Sequence, residues 1–126
     1  MLESKLKGVV TKQYQVIFHL DEEAQEKVQF VLNNIINLLN DLGDETVEVA
    51  LLANGPAVKA FQTDEERFSK SVLELLEREV RIVLCNNALN LFDLEPTSML
   101  AEATIVPSGV GELVRKQAEG WAYIRP

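Results

Sequence analysis

Between Val80 and Phe92 the chain reads V-R-I-V-L-C-N-N-A-L-N-L-F, and the spacing of its apolar residues changes within that stretch. Arg81 to Leu84 is a short β-branched and apolar run, whereas Ala88, Leu89, Leu91 and Phe92 recur at helical intervals. A buried strand therefore hands over to a helix at Cys85, which puts the thiol at a strand's carboxyl end. In open parallel sheets this is the edge where sites form, because loops converge there and helix N-termini aim unpaired N–H groups into the crevice. A thiol at that edge meets the positive end of a helix dipole, which favours the thiolate.

The same alternation runs along the rest of the chain. Tyr14 to Leu20 reads as the first strand, covered on both sides. Asp21 is placed to cap a long helix that carries Val28, Val31, Ile35, Leu38, Leu39 and Leu42 inward and closes at Gly43. Thr46 to Ala53 is the second strand, and Asn54-Gly55-Pro56 turns into a short helix ending near Phe61. Thr63 and Glu66 have capping-box spacing and open a helix bearing Phe68, Val72, Leu75 and Leu76. After the cysteine helix, Asp93 to Ala101 holds Pro96 and reads as irregular or weakly helical, and Ala103 to Val106 is the fourth strand. Pro107-Ser108-Gly109 turns the chain into a last helix ended by Gly120, and Trp121 to Ile124 is an aromatic-rich final strand. Met1 to Gln13 is a polar lead-in whose Leu6, Val9 and Val10 either pack loosely or begin the first strand early. Strands alternating with helices imply right-handed crossovers. The expectation is one flavodoxin-like α/β domain over residues 1–126, with a mostly parallel five-stranded sheet and helices on both faces.

Composition narrows the partners. Twelve basic against twenty acidic residues give a net charge of −8, and no basic stripe interleaves with aromatics, so a nucleic-acid backbone and an anionic membrane surface are both disfavoured. The apolar runs fall short of a membrane span, and the N-terminus has no signal-like apolar core, which reads as a cytoplasmic protein. A single cysteine allows no internal disulfide and suits a reducing compartment.

The chemistry on offer is sparse. Neither G-x-G-x-x-G nor G-x-x-x-x-G-K-[ST] occurs, so no nucleotide cradle and no cofactor is expected. Asn54-Gly55 is a turn whose amides face the same crevice as Cys85. His19, the only histidine, ends the first strand; it is either a structural residue or a partner for Cys85 if their strands are neighbours. A metal site would need His19, Cys85 and Asp21 to converge, and none is expected. Cys85 itself has two readings, a small buried hydrophobe or a reactive thiol, and position alone leaves both open.

Four stretches in matching order resemble the DsrE/DsrF-like (YchN-like) proteins of sulfur oxidation and sulfur relay: Y-Q-V-I-F-H-L-D leading into the long helix, A-N-G-P-A-V at Ala53 to Val58, V-L-C-N-N-A-L at Val83 to Leu89, and V-P-S-G-V with G-W-A-Y-I-R-P at the C-terminus. The resemblance implies a flavodoxin-like subunit of a homotrimer or homohexamer, and in relay members the cysteine matching Cys85 carries persulfide sulfur between donor and acceptor proteins. Asn86 stands where many relatives have glycine, and there is no second cysteine. The resulting expectation is a persulfide carrier or sulfurtransferase subunit with Cys85 as acceptor and His19, Asn54, Gly55 and Asn86 in support. Two other readings stand beside it: a non-catalytic oligomeric module that binds a small ligand and keeps Cys85 as a structural residue, and a cysteine-dependent hydrolase. Trp121, Tyr123, Leu91, Phe92, Leu94, Met99 and Leu100 form an apolar surplus that suggests assembly.

Overall fold

Where the apolar alternation is least interrupted, the strands form. In the computed structural model, which describes residues 12–126, the order is β1 (Tyr14–Leu20), α1 (Gln25–Leu42), β2 (Val47–Ala53), a 3-10 helix (Gly55–Phe61), α2 (Ser69–Glu77), β3 (Arg81–Cys85), α3 (Asn86–Leu91), a 3-10 turn (Pro96–Ser98), β4 (Thr104–Val106), α4 (Gly109–Ala118) and β5 (Ala122–Ile124). The early start to β1 near Leu6, Val9 and Val10 lies outside the described residues. All four strand pairings are parallel. The α/β class, the parallel five-stranded sheet and the helices on both faces are as expected, and the strand order is 4-3-2-1-5, where flavodoxin's is 2-1-3-4-5.

That order decides which face each helix occupies. From β1 to β4 every step moves the same way across the sheet, so right-handed crossovers put α1, α2 and α3 on one face. The step from β4 to β5 reverses direction, and the same handedness sends α4 to the other face. Two apolar clusters follow. One joins Val16, Phe18 and Leu20 of β1 to Val28, Val31, Leu32, Ile35 and Leu39 of α1, with Val72, Leu75 and Leu89 from α2 and α3. The other is smaller: Ile17, Ala50, Leu52 and Val83 from the sheet, with Leu113 of α4 and Trp121. Each fully buried aliphatic side chain of α1 contributes about 1.5–3 kcal/mol relative to exposure, so the first face carries most of the hydrophobic stabilisation.

Three expectations are corrected. Asp21 does not cap α1: the cap position is Ala24, without a side-chain hydrogen bond, and Asp21 pairs with Arg125 at 2.9 Å. The Thr63–Glu66 capping box does not open a helix; α2 begins at Ser69. An antiparallel bridge between Gln62 and Met99 holds that segment against residues 98–100, Thr63 Oγ1 donates to the Ser98 carbonyl at 2.6 Å, and Glu65 binds Arg67. Of the supposed apolar surplus, Trp121 and Met99 are buried in the domain, whereas Leu91 is 72% exposed. Gly43 does close α1, at φ 93°, and donates its N–H to the Leu39 carbonyl at 2.9 Å.

At the opposite edge of the sheet, Arg78 after α2 grips Asp44 with two hydrogen bonds, Nη2 to Oδ1 at 2.7 Å and Nε to Oδ2 at 3.0 Å. These bonds hold the Asp44 carboxyl below the usual carboxylate range. A carboxyl depressed in the folded state stabilises the fold above its unfolded value of about 3.9, and that contribution is lost as pH falls through the folded value. Because both side chains reach solvent, the pair is worth at most about 1 kcal/mol. Asp44→Asn is therefore expected to melt below wild type at pH 7 and to converge on it in acid, as pH falls through the folded-state value. A melting gap that persists unchanged into acid would remove the ion pair as its cause.

Candidate functional site

Residues that alternate along a strand share a face, so the placement of the chemical groups follows from register. Ile17, Leu52 and Val83 lie on the α4 face, and two residues further on each strand brings His19, Asn54 and Cys85 to that face at the carboxyl edge. Tyr123 pairs with Ile17 in the sheet and joins them. Asn54 lies one residue past β2, and its N–H extends the ladder by donating to the Leu20 carbonyl at 3.1 Å.

His19 and Cys85 are not partners. Since β2 lies between β1 and β3, the two strand ends are about 9.6 Å apart, two strand spacings. Both His19 ring nitrogens are engaged elsewhere: Nδ1 is 2.7 Å from the Tyr123 hydroxyl and Nε2 is 2.9 Å from Asn54 Oδ1. An amide oxygen only accepts, so Nε2 carries a proton, and in the neutral ring Nδ1 then accepts from the tyrosine. Burial of His19 makes these two bonds the means by which its polar atoms are satisfied.

Cys85 is 6% exposed and stands at the cap position of α3, which is only six residues long. It touches the larger apolar cluster and also meets the start of α4. A Cβ added at Gly109 would lie 3.0 Å from Asn54 Cβ and 3.3 Å from Cys85 Cβ, so the first residue of α4 is seated between these two side chains. Ser108 caps α4, its Oγ accepting from the Gly111 N–H at 3.1 Å, which leaves the earlier amides of that helix without intrahelical partners. The first residues of α3 and α4 thus meet beside Cys85. Gly55 adopts φ 56°, a left-handed conformation that glycine takes at least cost, and its 3-10 helix carries Ala57 and Val58 into the core. Asn86 is the half-buried first residue of α3. Asp21 is held by Arg125, and among the described residues no group of three His, Cys, Asp or Glu side chains could hold a metal ion.

The family model described as DsrE/DsrF-like family matches residues 12–126. The chain belongs to the DsrE/DsrF-like family. Among curated proteins none matches it. This DsrE/DsrF-like chain is similar to MTH1491 from Methanobacterium thermoautotrophicum, a protein described as of unknown function, at 39% identity and a TM-score of 0.84 over 90% of this chain and 99% of that one. It shares its fold with the ychN protein from E. coli at 12% identity and a TM-score of 0.77, over 90% and 99% of the two chains. It also shares its fold with BT1422 from Bacteroides thetaiotaomicron at 16% identity and a TM-score of 0.68, over 89% and 94%.

Two members of the cluster are not evident from local sequence. Gly109 reads as a turn residue, and Tyr123 as part of an apolar tail; both reach the site through the strand order. Gly109→Ala is expected to cost about 1–3 kcal/mol through overpacking against Asn54 and Cys85. Gly111→Ala is the control, since its Cβ would meet nothing closer than the Ser108 Oγ at 3.4 Å, and it is expected to be neutral or to gain up to about 1 kcal/mol of helix propensity. Equal melting temperatures for the two variants would contradict the close approach.

Proposed function

We propose that this protein is a sulfur-relay subunit in which Cys85 accepts a sulfane sulfur as a persulfide and passes it to a partner. The observation that carries the reading is the position of the only cysteine: the strand end where α3 and α4 both begin, in a chain of the DsrE/DsrF-like family. In loading, the Cys85 thiolate attacks the outer sulfur of a donor persulfide; the new S–S bond forms as the donor's breaks, and the donor leaves as a thiolate. In unloading, an acceptor thiolate attacks the same outer sulfur and displaces Cys85. Neither step changes the net oxidation state. With one cysteine in the chain, no internal disulfide can release the sulfur, so an acceptor from elsewhere is required. Asn54, Gly55, His19 and Asn86 support the site, and no resident cofactor is invoked.

Assembly as a homotrimer or homohexamer belongs to the same proposal. Val110 and Val114, 61% and 67% exposed, occupy one side of α4 next to the cysteine edge, and Leu91 of α3 is 72% exposed. Among the described residues no helix is long and apolar enough to cross a membrane, and action in the cytoplasm is part of this reading. The near-complete burial of Cys85 favours a second reading, a non-catalytic module in which the thiol is a packing group.

Intact mass separates the two. After treatment with glutathione persulfide, wild type is expected to gain one sulfur atom, Cys85→Ser none, and the loaded protein to surrender its sulfur to an added protein thiol. Equal labelling of wild type and Cys85→Ser would leave the packing role.

A further inference from the structure

A persulfide puts its outer sulfur about 2 Å beyond Sγ, and that sulfur holds the charge once the persulfide ionises. Resting on the sulfur-acceptor reading, we infer that Tyr123 and His19 are positioning residues that fix the amide of Asn54 so that its N–H2 group donates to the outer sulfur on Cys85.

The chain of bonds has one consistent direction. The Tyr123 hydroxyl donates to His19 Nδ1 at 2.7 Å, and His19 Nε2 donates to Asn54 Oδ1 at 2.9 Å. The carboxamide is planar, so pinning its oxygen towards β1 turns its nitrogen away from His19. On the other side of β2 stands β3, with Cys85 at its end. Ala53 pairs with Leu84, so Asn54 and Cys85 stand opposite one another one residue further on, and their Cβ atoms lie 3.0 and 3.3 Å from the place a Cβ at Gly109 would take. An amide held this way stabilises a charge by a directed hydrogen bond and needs no reorganisation when the sulfur arrives. It also suits a carrier better than a lysine would, because a neutral donor holds the anion without trapping it.

The network lies across the point where the chain reverses direction in the sheet. Tyr123 is on β5 and His19 on β1, the pair of strands between which open α/β sheets place their ligand crevices. Cys85 lies two strands away, and the relay is the physical connection between the two places. Without its hydroxyl donor, the imidazole can exchange tautomers; without its proton on Nε2, it no longer fixes which end of the Asn54 amide faces the cysteine.

The test uses the full-length protein with glutathione persulfide as donor, reading the rate of sulfur gain by mass, together with nitrogen NMR of the imidazole. His19 is the only histidine, so its signals are unambiguous. Wild type is expected to show a protonated Nε2 and a bare Nδ1. Tyr123→Phe, which keeps the ring, is expected to show a tautomer mixture and slower loading. Asn54→Ala is expected to load about tenfold more slowly or worse, the loss of a hydrogen bond to a charged group. Loading of both variants at the wild-type rate, or a wild-type imidazole protonated on Nδ1, would overturn the relay while leaving Cys85 as acceptor. A wild type that gains no sulfur at all would overturn the acceptor reading and the relay with it.

Discussion

The handedness of parallel crossovers organises this molecule. Three successive right-handed steps carry the chain from β1 to β4 with their helices on one face, and the single reversal to β5 carries α4 to the other. Two consequences meet at the same edge. The start of α4 is brought down between Asn54 and Cys85, where only glycine fits without displacement, and β5 is laid alongside β1 so that Tyr123 reaches His19. A left-handed return would bury α4 against the crowded face and leave the cysteine edge without its second helix.

Much of this was legible in the residues, and what was not has a definite physical reason. Periodicity located the strands to within a residue or so, because an apolar alternation of two and a stripe of 3.6 are local properties. Gly43 and the Asn54-Gly55-Pro56 turn were readable for the same reason. Strand order was not, since it depends on pairings between distant residues; of the two readings of His19, the pairing with Cys85 required neighbouring strands, and β2 lies between them. Tyr123 was visible only as an aromatic in a short strand, and nothing local marks it as the donor to His19. The Asp21 and Thr63 caps failed differently: each pattern fits its local rule, but Arg125 and the Gln62–Met99 bridge offer competing partners from far along the chain.

The site combines a shielded thiol with a fully bonded imidazole. Cys85 is packed on one side by the larger core and on the other by Gly109. The polar residues nearby belong to one hydrogen-bonded line from β5 through β1 to the end of β2, which ties the cysteine edge to the most distant element in sequence.

Whether Cys85 is a working thiol or a packing group shows in its reaction in the native state. Alkylation by a small iodoacetamide reagent, timed by intact mass under native conditions and again in denaturant, compares the same atom in the two states. A working thiol is expected to be modified completely in the native protein, at a rate well above that of global unfolding. A thiol that reacts only as fast as the chain unfolds would contradict it, and would return Cys85 to the core.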